Sequence, residues 1–226
     1  VIDSRVVLDR GELALDSCLA DDLSVANAAR VSFNKQNEIP TVADEGLINF
    51  LMKNRHGTPF EHGVFRFIVK CPLFVAREWH RHRIGHSYNE VSGRYSEIEP
   101  EFYIPAKIRT QVGKPGAYTF EPADEHVTVE AQTEIEVTGR SSFQRYQKLL
   151  KLGVAKEQAR LVLPVSTYTK FYWTCNPRSL MHFLSLRNSE YAQWEIRQYA
   201  EVAELFFRKQ MPITANAFVE NGRVAP

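Results

Sequence analysis

The densest concentration of reactive side chains begins at Arg77 and ends at Arg94. It reads Arg77-Glu78-Trp79-His80-Arg81-His82-Arg83-Ile84-Gly85-His86-Ser87-Tyr88-Asn89-Glu90-Val91-Ser92-Gly93-Arg94. Arginine offers planar, bidentate donors that stay charged at any physiological pH. Alternating cations beside a hydroxyl-rich loop suit a phosphate-bearing ligand. Ser92, Gly93 and Arg94 can present hydroxyl, backbone N–H and guanidinium together. The plainer reading is a solvated basic helix face. Against it, only Glu78 and Glu90 stand in the stretch to pair with four arginines. A metal reading rests on His80, His82 and His86, because two histidines four apart share a helix face that zinc can use. The arginines on both sides of His82 disfavour a dication and the HExxH order is absent, so no metal is expected.

Two smaller clusters follow the same logic. In His56-Gly57-Thr58-Pro59-Phe60-Glu61-His62, Thr58 and Glu61 have the spacing of a capping box. That accounts for those two residues without function, but not for His56 and His62. In Asn176-Pro177-Arg178-Ser179, Asn176 suits a helix cap and Pro177 the first turn. The same turn would aim a helix N-terminus at an anion or a polar ring. Arg187 lies between apolar residues and is expected to be partly buried. A buried arginine needs a partner; Glu190 or Glu195 is the ordinary one, a ligand anion the functional one.

These residues must be held by regular elements. Segment 6–14 reads as a strand and turn. Segment 23–31 reads as a helix capped by Asp22 or Ser24. Residues 43–54 repeat Leu47, Ile48, Leu51 and Met52 at helical spacing. The β-branched and aromatic run 64–70 is a strand ended by Pro72. Residues 73–83 look helical, 85–94 a polar loop, and 95–104 a second strand or strand end. Segment 108–127 reads as an irregular surface excursion, because Gly113, Pro115, Gly116 and Pro122 interrupt it. Helices are expected over 130–152 and 155–161, with Leu149, Leu150 and Leu152 on one apolar face. Residues 167–175 form a strand by composition, 178–208 one long helical region, and the end a short helix. Strands set among helices without strict alternation predict an α+β fold with an antiparallel sheet.

Composition bounds the function. The chain has 226 residues, 44% hydrophobic and 24% charged, enough to bury a core without disulfide or metal staples. One domain spanning 1–226 is expected. Lys plus Arg is 28 and Asp plus Glu 27. Nothing global therefore points to nucleic acid or an anionic membrane. The alternative that survives is a nucleotide- or nucleic-acid-binding module built on the basic cluster. No apolar run is long enough to span a bilayer. The start, Val1-Ile2-Asp3-Ser4-Arg5, lacks the apolar block of a signal peptide, and the missing Met suggests trimming. Three separated cysteines, Cys18, Cys71 and Cys175, fit a reducing cytoplasm. None has a recognisable activating setting, so no covalent enzyme nucleophile is expected.

Arg81-His82-Arg83 followed by Ser92-Gly93-Arg94-Tyr95 resembles the RHR–Ser signature of the flavin-dependent thymidylate synthases. Ala29-Arg30-Val31-Ser32-Phe33, the His56 to His62 block, Phe102-Tyr103-Ile104-Pro105, Gln158-Ala159-Arg160-Leu161-Val162-Leu163-Pro164, Asn176-Pro177-Arg178-Ser179-Leu180 and Leu186-Arg187 through Ile196 look like further family blocks. They stand in the family's order. The resemblance implies a curved antiparallel sheet with helices and a homotetramer with active sites between subunits. It implies reductive methylation of dUMP to dTMP, with methylenetetrahydrofolate supplying the carbon and NADPH the electrons through bound FAD. It assigns Ser32, His56, Thr58, Glu61, Arg81, His82, Arg83, Asn176, Arg178 and His182 to the flavin side. It assigns Glu78, Glu90, Ser92, Gly93, Arg94 and Arg160 to dUMP, and Arg187 to the uracil ring as the catalytic arginine. The interval between Arg83 and Ser92 is one residue longer than the resemblance leads one to expect, and His86 stands in it. Several members carry glutamine where Glu78 stands and histidine where Tyr191 stands.

Overall fold

Apolar residues at every second position build the centre of the molecule. The computed structural model describes residues 1–115 and 117–226. Its strands are β1 (Asp3–Val7), β2 (Gly11–Leu19), β3 (Val64–Pro72), β4 (His86–Glu90), β5 (Arg109–Lys114), β6 (Ala117–Pro122) and β7 (Tyr168–Cys175). One antiparallel sheet has the order β1-β2-β3-β7-β4, and β5 pairs with β6 in a separate hairpin. In β3, Phe65, Phe67, Val69 and Cys71 all turn to the buried face. Phe171, Trp173 and Cys175 of β7 do the same.

The helices are α1 (Asp22–Arg30), α2 (Val42–Lys53), α3 (Leu73–Trp79), α4 (Glu125–Lys151), α5 (Lys156–Ala159), α6 (Pro177–Arg187), α7 (Trp194–Gln210) and α8 (Pro212–Glu220). Trp79, the last residue of α3, packs its ring against Phe171, Trp173, Phe183 and Tyr199, with centroids 5.0–5.6 Å apart. Burying each such ring stabilises the fold by roughly 1.5–3 kcal/mol. That packing also fixes where the chain leaves α3, and with it the segment carrying the basic cluster. The two ends of the chain are tied by Asp22. Its carboxylate accepts from the backbone N–H of Ile213 and Thr214 and from the Thr214 hydroxyl, at 2.9, 2.8 and 2.6 Å.

The α+β class with an antiparallel sheet is as expected, while several elements differ from the sequence reading. The strand-and-turn at 6–14 is a full hairpin, β1 with β2. Asp21, not Asp22 or Ser24, caps α1 by accepting from Ser24 N–H at 2.6 Å. The helix expected over 73–83 stops at Trp79. The Tyr88 hydroxyl donates to the carbonyls of Trp79 and His82, at 3.2 and 2.8 Å, acceptors that a longer helix would have used itself. The polar loop at 85–94 contains β4. This is a polar edge strand, which pairs through its backbone along β7 whatever its side chains. Residues 95–104 form no strand; only Phe102 bridges, to Thr167. The excursion at 108–127 holds the regular hairpin of β5 and β6, both exposed. Gly116 of that segment lies outside the described residues. The long helix at 178–208 is two, α6 and α7, and the Asn188 amide in the break donates to Glu204 of α7 at 2.6 Å. Leu152 is exposed rather than on an apolar face.

Candidate active site

The turn after α3 and the end of α6 meet at Arg187. Its Nε donates to His82 Nε2 at 3.0 Å, and one terminal nitrogen donates to the Glu78 carbonyl at 3.1 Å. The other lies 2.9 Å from the Glu78 carboxylate. Among the described residues these contacts leave part of the guanidinium's five N–H groups for a ligand. Glu78 thus replaces the Glu190 or Glu195 expected as partner. Glu195 instead pairs with Arg109 of β5, and Glu190 is exposed. The other Glu78 oxygen faces Arg81 Nε at 3.6 Å. One carboxylate therefore stands between an exposed arginine and a mostly buried one.

His82 is 5% exposed. Burial, then the neighbouring Arg187 charge, pushes its pKa down to about 3. Burial, then His182, pushes His86 down to about 4. Both rings are neutral at physiological pH. His82 lies edge-on to Phe183, His86 and His182, with centroids 5.0, 5.7 and 5.9 Å away. Arg81, Arg83 and His182 are exposed around it.

The following loop is fastened to α6. Gly85 has φ +72°, and a β-carbon there would stand 2.1 Å from Ser179 Oγ, so only glycine fits. The Ser179 hydroxyl donates to the Ile84 carbonyl at 3.1 Å. Asn176 caps α6 by accepting from Ser179 N–H at 2.8 Å, as the sequence suggested. The expected capping box at Thr58 and Glu61 does not form. Residues Thr58–Glu61 make a 3-10 turn capped by no side chain. The Glu61 carboxylate accepts from Arg178 instead. Arg178 reaches across because Gly57 has no side chain: a β-carbon there would sit 2.6 Å from the guanidinium carbon. His56 is exposed, edge-on to Phe50, and Ser32 is exposed in the turn Val31–Phe33 after α1.

A second region lies at the other end of β4. Glu90, Ser92, Gly93 and Arg160 line a cleft of about 760 Å³. The Glu90 carboxylate accepts from the Thr169 hydroxyl at 2.5 Å. Arg94 is not among the lining residues, and pairs with Glu157 at 3.1 Å in the open. Neither Glu78, His82, Arg178 nor Arg187 lines this cleft. His86 and Glu90, at opposite ends of β4, are ~13 Å apart at the usual rise of a strand. The structure therefore gathers the residues assigned to dUMP in two places, with Glu78 and Arg187 beside the flavin set.

Among the described residues, no group of three or more His, Cys, Asp or Glu is arranged to hold a metal ion. His82 and His86 do not share a helix face; His82 follows α3 and His86 opens β4. Burial raises the thiol pKa of Cys18, and that of Cys71 and Cys175 much further, which disfavours a thiolate nucleophile. Trp173 was overlooked as a site residue because it read as part of a strand, and Tyr88 because it lay in a stretch read as a polar loop. Yet Trp173 Nε1 donates to His86 Nδ1 at 2.9 Å, and Tyr88 holds the turn at His82.

Residues 15–213 match the family model described as thymidylate synthase complementing protein. A flavin-dependent thymidylate synthase of Thermosipho africanus is 48% identical over 214 residues, covering 95% of this chain and 93% of that protein. One from Streptomyces avermitilis is 44% identical over 228 residues, covering 92% and 90%. Among solved structures, the UMP/dUMP methylase PolB from Streptomyces cacaoi bound with 5-Br UMP superposes with a TM-score of 0.88 at 40% identity. That match covers 98% of this chain and 100% of the other.

Proposed function

The chain belongs to the flavin-dependent thymidylate synthase family, and on that premise we propose that it methylates dUMP to dTMP. In this reading FAD is the bound flavin, NADPH the reductant and methylenetetrahydrofolate the carbon donor. The 226 residues act as one domain in a homotetramer of the cytoplasm whose active sites lie between subunits. The observation that carries the reading is the Arg187 guanidinium, held on three sides by Glu78 and neutral His82.

The residues present fit a flavin nucleotide. His82 Nδ1 is a buried polar atom with no partner among the described residues. Arg81 and Arg83 supply exposed cations beside it for a diphosphate, and Arg178, paired with Glu61, joins the proposed flavin side from the start of α6. Asn176, His182, His56, Ser32, Thr58 and Glu61 complete the proposed flavin side. When bound, the flavin supplies the hydride chemistry.

The chain's own residues prepare the nucleotide. Uracil C5 is a poor nucleophile until negative charge develops on the ring, and Arg187 stabilises that charge where it forms. Three contacts within the chain fix the guanidinium in advance, so little reorganisation is needed when the ring arrives. Ser92, Gly93, Arg94 and Arg160 bind the phosphate and sugar, the two arginines matching a dianion. Glu90 offers a carboxylate oxygen to a sugar hydroxyl. The separation of the Arg160 cleft from Arg187 within one chain supports a site completed by a second copy.

The test is a visible absorption spectrum of the purified protein, with and without NADPH in the absence of oxygen, and with and without dUMP. A flavin band that bleaches, and bleaches differently with dUMP, is expected. Protein that holds no flavin and takes up none on addition of FAD overturns the reading.

A further inference from the structure

Trp173 and Arg187 fix the protons of two neighbouring histidines. An indole N–H and a guanidinium can only donate. Trp173 Nε1 donates to His86 Nδ1, and Arg187 Nε donates to His82 Nε2. Each ring thus accepts at one nitrogen, and being neutral it carries its proton on the other. That leaves an N–H at His86 Nε2 and another at His82 Nδ1. In the isolated chain both nitrogens have almost no exposed surface and no partner among the described residues, so a ligand atom reaches them once the side chains around them shift. Two donors cannot satisfy one another, and the rings stand edge to face with centroids 5.7 Å apart. Buried N–H groups are rarely left without an acceptor. Burial keeps both rings neutral, with pKa values pushed down to about 3 and about 4.

We propose that His86 acts with His82 as a pair of neutral hydrogen-bond donors to carbonyl oxygens or unprotonated ring nitrogens of the bound flavin. The proposal rests on the flavin reading above and gives His86 a part that the family blocks do not. The left-handed Gly85 turns the chain after Arg83 so that His86 opens β4. There its ring stacks beside Trp173 and Tyr88, centroids 6.0 and 6.2 Å away. The stack and the indole bond set the ring's plane and tautomer before any ligand arrives. A neutral donor can meet an electron-rich ring system without adding a charge to the pocket. The competing acceptor is an ordered water, which would leave the flavin untouched.

Two isosteres separate the ring's two ends. In H86N, Oδ1 takes the place of Nδ1 and can still accept from Trp173, while the outward donor is gone. In H86Q, the amide N–H stands where Nε2–H stood. Thermal melts establish that each variant folds, and FAD titration followed by flavin fluorescence gives the dissociation constant. H86N is expected to bind FAD about tenfold more weakly, the size of one lost buried hydrogen bond, and to shift the flavin absorption bands. H86Q is expected to stay near wild type in both. In the wild-type protein, imidazole nitrogen NMR should show His86 as the Nε2–H tautomer and His82 as the Nδ1–H tautomer, with both N–H resonances moving on FAD addition. FAD bound by H86N with wild-type affinity and an unchanged spectrum overturns the proposal in favour of water. Wild-type protein that takes up no FAD defeats the flavin reading itself, and this proposal with it.

Discussion

Arg187 Nε donates to His82 Nε2 across 3.0 Å, joining residues 105 positions apart. The contact ties the last turn of α6 to the turn after α3. It also dictates a protonation state, since an imidazolium has no lone pair to accept with and would set two cations side by side. The bond therefore needs neutral His82, in keeping with a pKa pushed down to about 3. Glu78 supplies the opposite charge on another edge of the guanidinium.

Replacing Arg187 should separate binding from chemistry. R187A is expected to keep bound flavin and lose roughly 10²–10³-fold or more in dTMP formation, the scale for removing a preorganised donor aimed at developing charge. R187K keeps the charge but not the planar three-sided contact, and should fall between. Single-turnover dTMP formation, with flavin content measured on the same sample, decides this. Full turnover by R187A removes its ring-facing role.

The sheet's central strands were legible because their apolar residues alternate: β3 and β7 sit within two residues of where composition put them. Helix α2 was legible for the equivalent reason at helical spacing, while α4 was read only from 130, five residues after it begins, on a face that Leu152 does not join. What escaped were elements defined by partners distant in sequence. β4 is polar and exists because β7 has an open edge. α3 stops early because Tyr88, nine residues on, takes its last carbonyl. The β5–β6 hairpin hid because Gly113, Pro115 and Pro122 read as breakers. In the site, the arginines and Asn176 stood out by type and spacing. The pairing of Arg187 with Glu78 did not, because Glu78 sits on another helix while Glu190 and Glu195 lay nearer in sequence.

Acid should destabilise the fold well above the range where exposed carboxylates titrate. In the unfolded chain His82 and His86 take up protons near their ordinary 6.5; folded, they resist to about 3 and about 4. Between those values the unfolded state binds more protons. The stabilisation is complete above 6.5 and declines as pH falls, by up to ~1.4 kcal/mol per pH unit for each histidine. Glu204 adds to the loss further down. Burial would raise its carboxyl, but Arg223, Arg208 and Asn188 together hold it below its ordinary value. Urea midpoints at about pH 7.5 and about pH 5.5 measure the slope, and H86N should remove one histidine's share. A flat profile, equal in wild type and H86N, contradicts the buried neutral pair.

Flavin retention should depend on the turn after α3 more than on the Arg160 cleft. H82A removes a buried donor and R83A an exposed cation, so both are expected to lose flavin on dialysis, by about tenfold in affinity or more. R160A, which lines the other cleft, should keep its flavin and raise the KM for dUMP. The ratio of flavin absorbance to protein before and after dialysis reads this directly. Unchanged flavin content in both H82A and R83A counts against their assignment.

If each site takes Arg187 from one chain and Arg160 from another, two impaired variants should rescue each other at a dUMP concentration that does not saturate R160A. In an assembly of R187A chains alone every site lacks the ring-facing guanidinium. In one of R160A chains alone every site lacks a phosphate ligand. Mixed within one assembly, some sites receive intact Arg187 from the R160A chain and intact Arg160 from the R187A chain. Co-expressed chains carrying different affinity tags, purified for both, should then form dTMP well above either variant alone. Sedimentation should show the mixed species larger than a monomer. A mixed assembly no more active than its parents would mean that both arginines of a site come from one chain, and that the ~13 Å between the two ends of β4 is bridged by the nucleotide rather than by a neighbouring subunit.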